Sequence, residues 1–467
     1  MIEIGISGYD NHVQYKEKQE EVRKMPKGKR KLVKCIVCGE IFDSELDTCP
    51  VCGVGREYFI PYDEEDIRFS KDTEETFVIL GNGAAGISAA EAIRERNDTC
   101  SILMISREAE YSYNRPMLTK SLSSLISAQE ILMHQPEWYE ENHITNLLNS
   151  EVTKLDTSNK TIELKDGRRI AYDKCIYALG AECFVPPIKG TDKPEVIAIR
   201  NLEDVKKARA LGSSARKAVV IGGGVLGLEA AWELSKLCEV TVLEVADKLM
   251  VRQLDDKAGE VLGELIKKAG VKFRINASIT EITGEEKVTG VALRDGEVYE
   301  ADLVIISCGI RGNVELARES GITIQKAIAV NEKMETNAEG IYACGDCAEY
   351  RGVNYAVWSQ AVQMGKTAGA NAAGDTVEYE PETPALSFEG MKTALFAGGD
   401  NGKNPELEYQ TLEYSNLEDG NYEKYYFHNN KLVGAILIGD TRKMVKVTEG
   451  LNVGCSLNYV RNNVIHP

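Results

Sequence analysis

The chain is 467 residues long, 43% apolar and 27% charged, with a formal net charge of −18. That is the composition of a soluble globular protein of about three domains, and its acidity excludes nucleic acid and anionic membrane as the main partners. No apolar run approaches the roughly 18 residues of a membrane span, and the start at Met1 carries no signal-peptide pattern, so a cytoplasmic protein is expected.

Residues 1–30 form a polar tail ending in a basic run, and Arg23 to Lys34 holds seven Lys/Arg and no acid. Such a run is a solvated tail, or an electrostatic strap onto an acidic body. In residues 31–60 two C-x-x-C knuckles, Cys35/Cys38 and Cys49/Cys52, are each followed by glycine. Four thiolates so spaced can form a tetrahedron around iron or zinc. The other eight of the twelve cysteines lie mostly in apolar segments and read as reduced, buried thiols. With Phe42 and Tyr58-Phe59, the knuckles make this segment resemble rubredoxin, in the short-spacing form attached to rubrerythrins. The resemblance implies a one-electron iron centre; a structural zinc ribbon is the alternative. Residues 61–75 are highly charged, follow no helix or strand period, and read as a linker.

A short apolar strand, Phe77–Leu80, then runs into Gly81-Asn-Gly83-Ala84-Ala85-Gly86 and an alanine-rich helical pattern. In G-x-G-x-x-G the first glycine makes the turn, the second admits a pyrophosphate, and the third lets helix and strand pack closely. The helix start, at Ala84 and Ala85, offers N–H groups to phosphate. The next apolar strand ends at Ile105, where an acid to hold a ribose is expected; Ser106 stands there instead, and either Glu108, two residues on, substitutes as the cofactor-binding acid or the adenosine ribose is held less tightly. The second unit is cleaner. Ala218–Ile221 leads into Gly222-Gly-Gly224-Val-Leu226-Gly227, and the following strand ends in Glu244. A carboxylate at that place accepts ribose hydroxyls and opposes a 2′-phosphate, which favours NADH over NADPH, although Lys248 and Arg252 are near in sequence.

Gly180 and Gly309 each follow an apolar strand in a small-residue turn, as at a crossing between domains, and Gly345-Asp346 ends another strand with a carboxylate. Together these motifs resemble the FAD- and NAD(P)H-dependent pyridine nucleotide reductases over about residues 76–460. The likeness is closer to the NADH:rubredoxin oxidoreductases and the ferredoxin-reductase branch. The resemblance implies FAD along Gly81–Gly86 with Asp346 on its ribityl chain, and NADH along Gly222–Gly227 with its nicotinamide against the flavin. It assigns Arg115, Pro116 and Lys120 to the flavin site, and sets a Lys120–Glu229 pair beside N5 as the catalytic candidates. It also places Trp358 at the nicotinamide and flavin edge. The redox cysteines of the disulfide reductases are absent; Tyr113-Asn-Arg-Pro116 stands in their place, and Cys344-x-x-Cys347 reads as packing.

The expected fold class is α/β, with two Rossmann-like dinucleotide-binding domains, a C-terminal α+β domain and the small four-cysteine module. The FAD domain takes 76–182 and 312–380, the NAD domain 183–311, and the C-terminal, dimerisation-type domain 381–467. The resemblance implies an NADH-dependent reductase that passes electrons through FAD to a rubredoxin-type iron. A rubredoxin, a rubrerythrin or a flavodiiron protein would be the acceptor, in oxygen or peroxide defence, and the protein a monomer or homodimer. The competing readings are an NADH-oxidase-type flavoenzyme with structural zinc, and a redox-sensing interaction protein.

Overall fold

The computed structural model describes residues 31–36, 41–49, 54–62, 67–124 and 127–465. The basic tail, Cys38, Cys52 and part of the linker lie outside them. Two parallel five-stranded sheets carry the nucleotide-type turns. In the first, β1 (Thr76–Leu80) is central, flanked by β2 (Ser101–Ile105) and Ile144–Leu147 on one side and by Lys174–Tyr177 and Ile341–Ala343 on the other. In the second, β3 (Lys217–Ile221) lies between β4 (Glu239–Leu243) and Leu303–Ile306, with Lys272–Arg274 and Val196–Ile197 at the edges. The central strands have apolar residues on both faces because helices cover both sides of a parallel sheet; Phe77 to Leu80 are buried without exception. Each sheet is accompanied by a three-stranded antiparallel meander, 152–171 in the first case and 279–300 in the second.

The helices that begin at the two turns are α1 (Ala84–Arg94) and α2 (Val225–Leu234). The chain leaves the first unit and returns to it through one antiparallel ladder, Ala181–Cys183 against Ile310–Gly312. Gly180 and Gly309 stand at its two entrances. The C-terminal part is a five-stranded antiparallel sheet (385–438) with the helix Met444–Val453 packed on it.

The N-terminal strands Leu32–Cys35, Ile41–Asp43 and Phe59–Tyr62 form a small antiparallel sheet. It rests on the C-terminal domain: the Tyr58 and Thr441 hydroxyls are hydrogen-bonded at 3.0 Å, and Ile36 and Tyr58 pack against the cluster around Phe396. Part of the expected linker is fixed. Lys71 N–H donates to Arg96 O, Thr99 hydroxyl to Thr73 O, and Asn97 Nδ2 to the Thr73 hydroxyl. A buried asparagine needs partners, and this extended segment supplies them.

Candidate functional site

The two glycine turns are physical copies. Gly81 has φ +101° and Gly222 φ +116°. A methyl added at either would meet a carbonyl of the neighbouring strand's exit, Ala178 O at 2.3 Å or Ser307 O at 2.2 Å. One added at Gly86 or Gly227 would lie 2.0 or 2.1 Å from the carbonyl oxygen of its own turn's first glycine. At Gly83 and Gly224 it would meet nothing within 4 Å. These two are the N-caps of α1 and α2, and neither cap is closed by a side-chain hydrogen bond. Each turn therefore presents free space in front of a helix N-terminus, the shape and charge that a pyrophosphate needs. The residues fit two dinucleotides.

The turns differ at the acid position. Glu244 is held on both oxygens by backbone N–H groups, Gly223 at 2.6 Å and Ala246 at 2.8 Å. Lys248 is engaged by Asp247 and Asp256, and Arg252 is exposed. In the first unit Ser106 is buried, and its Oγ accepts Glu108 N–H at 3.1 Å. Glu108 itself binds the Tyr113 hydroxyl at 2.6 Å and the Arg115 guanidinium, so its carboxylate is directed to Arg115. Beside Ser106 opens a cleft of about 410 Å³ lined by residues that include Arg107, Asn149, Ser150 and Glu151. None of these four was singled out from the sequence. Arg107 follows the carboxyl end of β2 and residues 149–151 that of Ile144–Leu147, and Leu164, Lys165 and Asp166 of the antiparallel meander close the cleft.

Other elements converge on α1. The helix α3 (Trp358–Ala372) lies against it with almost no side chain between, because Gly365 faces Ala85 O and Gly369 faces Ala89 O. Trp358 is half-buried at the N-terminal end of α3. The turn Gly345–Cys347 abuts the start of α1, with a methyl on Gly345 falling 2.9 Å from Ala85 Cβ. Asp346 is thus brought to the Gly81–Gly86 turn, where it pairs with Arg200 at 3.1 Å. Arg115 donates to Arg200 O at 2.8 Å. Arg200 had no sequence signal of any kind.

Pro116 precedes the short helix Met117–Lys120, which packs on α2. The hydrogen-bond partner of Glu229 among the described residues is Thr119, whose hydroxyl donates at 2.7 Å. Lys120 acts on Glu229 through its charge without forming an ion pair. Burial pushes the Glu229 carboxyl above the usual range, opposed by the Thr119 hydrogen bond and the Lys120 charge. Leu226 is half exposed on the first turn of α2, and Gly309 stands at the crossing with φ +102°.

Cys344 and Cys347 are fully buried and unbridged. The Cys347 thiol donates to Cys344 O at 3.3 Å and is pushed up to about 12 by burial, so it stays protonated. In the N-terminal sheet Cys35 and Cys49 are buried in one small cluster with Phe42, whose ring meets Phe59 edge-on at 4.8 Å. The described residues include no group of three or more metal-type side chains. The other two cysteines of the expected set, Cys38 and Cys52, lie outside the described residues.

Residues 75–365 match the family described as pyridine nucleotide-disulphide oxidoreductase, and residues 384–452 match the rubredoxin NAD+ reductase C-terminal domain. The nitrite reductase [NAD(P)H] of Bacillus subtilis is 37% identical over 367 residues, covering 78% of this chain and 45% of that protein. The NADH-rubredoxin oxidoreductase of Clostridium acetobutylicum is 28% identical over 394 residues, covering 83% and 98%. The crystal structure of NADH:rubredoxin oxidoreductase from that organism superposes with a TM-score of 0.71 at 28% identity, over 84% of this chain and 100% of that one. The chain spans about half the length of the first curated relatives it matches, 45% and 51%. With two matched turns, the crossing ladder and the C-terminal sheet in place, the chain belongs to the pyridine nucleotide-disulphide oxidoreductase family.

Proposed function

We propose that this protein is an NADH-dependent flavoprotein reductase that delivers electrons to a rubredoxin-type iron centre, in its own module, in a separate acceptor protein, or in both. The observation that carries the reading is the pair of open glycine turns of which the second alone ends in a backbone-anchored acid. Glu244 can receive the ribose hydroxyls of NADH, which leaves the Gly81–Gly86 turn for FAD. Bound FAD supplies hydride acceptance from the nicotinamide and one-electron release to the acceptor.

The reading assigns a task to each of this chain's own side chains. The N-termini of α1 and α2 bind the two pyrophosphates. Asp346, paired here with Arg200, would hold a ribityl hydroxyl, and Arg115 keeps Glu108 in place. Glu229, Thr119 and Lys120 form a polar group able to hold a proton at the Glu229 carboxyl near the reacting ring. Trp358 would line the edge of the nicotinamide and flavin. Cys35, Cys38, Cys49 and Cys52 would hold the iron, which would supply a one-electron acceptor. The rubredoxin NAD+ reductase C-terminal domain match supports an acceptor of that class, and a role in oxygen or peroxide defence would follow from such an acceptor.

Metal analysis together with an anaerobic NADH titration tests this. Iron near one per chain, with thiolate-to-iron absorbance that bleaches along with the flavin band, is the expected result. Zinc in the site with no NADH-linked bleaching would assign the module a structural role, and failure to reduce added rubredoxin as well would shift the acceptor to oxygen or a small molecule.

A further inference from the structure

The loop between Glu244 and the helix Asp256–Lys268 shapes the second turn from outside. Gly223 is gripped on both sides of its peptide: its N–H donates to Glu244 at 2.6 Å, and its carbonyl accepts Met250 N–H at 2.9 Å. Met250 sits in the left-handed region at φ 48°, and Leu249, Met250 and Leu254 are buried beneath the loop. Leu249 leaves no space for a side chain at position 223, since a methyl there would fall 2.5 Å from its Cδ2.

The second half of this loop is tied to a different domain. Lys403 Nζ donates to Val251 O at 2.9 Å and to Leu254 O at 2.5 Å. Asn401, itself buried, donates from Nδ2 to Gln253 O at 3.0 Å. Directly after the loop, Asp255 caps the following helix through Ala258 N–H and accepts Lys424 Nζ at 2.7 Å and the Tyr426 hydroxyl at 2.6 Å. Three carbonyls, of Val251, Gln253 and Leu254, and the cap residue Asp255 are thus held by the C-terminal domain.

The geometry points to the C-terminal domain as a determinant of nicotinamide nucleotide affinity and selectivity: Asn401 and Lys403 are positioning residues that fix loop 245–254, and through Met250 and Gly223 the aim of the Glu244 carboxylate. This rests on the NADH reading of Glu244. Loosening the clamp lets Met250 withdraw from Gly223 O, and Gly223, whose N–H orients the acid, is then free to turn. An adenosine ribose bearing free hydroxyls depends on that aim. One bearing a 2′-phosphate does not.

Lys403→Met, Lys403→Arg and Asn401→Ala in the full-length flavin-loaded protein test it, with NADH and NADPH titrated separately against a dye acceptor. Lys403→Met is expected to raise KM for NADH about fivefold, in keeping with a charged hydrogen-bond donor lost at a partly exposed site. kcat should stay within about twofold and KM for NADPH should be little altered, so the preference ratio falls by about the same factor. Lys403→Arg is expected to restore most of the affinity. Asn401→Ala, should the methionine variant fold poorly, is expected to give the same signature at about threefold. Equal changes in KM for both nucleotides, or none in either, in a protein whose wild type prefers NADH would overturn the positioning role. A wild type that shows no preference would instead overturn the assignment of Glu244, and the clamp proposal with it.

Discussion

Thr119 holds Glu229: its hydroxyl reaches the carboxylate at 2.7 Å from the short helix beside α2, whereas Lys120, next in the chain, acts on that carboxylate only through its charge. The family resemblance directed attention to the lysine. The hydrogen bond makes its neighbour the closer control on the protonation of Glu229.

Thr119→Val should therefore raise the Glu229 pKa further, because a donor to the charged form is lost while burial remains. The pH profile of flavin reduction by NADH is expected to move to higher pH. A profile that does not move would separate Glu229 from the chemistry.

Since the folded-state pKa of Glu229 is raised, its contribution to stability is full below the unfolded value and is lost as pH rises through the folded one. Glu229→Gln should flatten that part of the stability curve and raise the neutral-pH melting temperature of the flavin-free protein by about 2 °C. Differential scanning calorimetry across pH 4–8 would check it.

The open space at Gly83 and the crowding at Gly86 separate binding from folding. Gly83→Val should leave the circular dichroism of the apoprotein unchanged and lower flavin retention after desalting about tenfold or more. Gly86→Ala, which sets a methyl 2.0 Å from Gly81 O, should destabilise the fold itself by about 2 kcal/mol. Equal loss of secondary structure in both variants would contradict the distinction.

On the proposed reading Glu244 faces the ribose 2′ position; Glu244→Ala removes that carboxylate, while Lys248 stays engaged by Asp247 and Asp256. The NADH over NADPH preference in kcat/KM is expected to fall about tenfold, mainly through weaker NADH. Paired steady-state measurements with the two nucleotides would show it.

Both phosphate turns were legible because each combines three features of local origin: an apolar strand, glycines at fixed offsets and a helical continuation. The place of Glu244 directly after β4 was also legible, from the apolar strand before it. The pairing of Asp346 with Arg200, the Thr119 hydrogen bond and the hold of Asn401 on Gln253 were not. Each joins residues more than 100 positions apart, and none belongs to a period that a strand or helix pattern carries. Residues 71–75 show the same effect in reverse. Their charge and lack of period suggested a linker, but Asn97 lies where its side chain can hold Thr73, and that tertiary contact outweighs local composition.

The glycine contact of α3 with α1 has a consequence for synthesis. Gly365 and Gly369 close onto Ala85 and Ala89 so tightly that no other layer can take their place, yet the two helices leave the ribosome far apart in time. At ordinary elongation speeds the nascent chain waits roughly 10–60 s between them, while the entire unit built on β3 is made and free to fold. During that interval the apolar flank of α1 stands uncovered. Newly made chains should accordingly depend on a chaperone that shields α1, and truncations that stop before residue 365 should aggregate even where the unit built on β3 is complete.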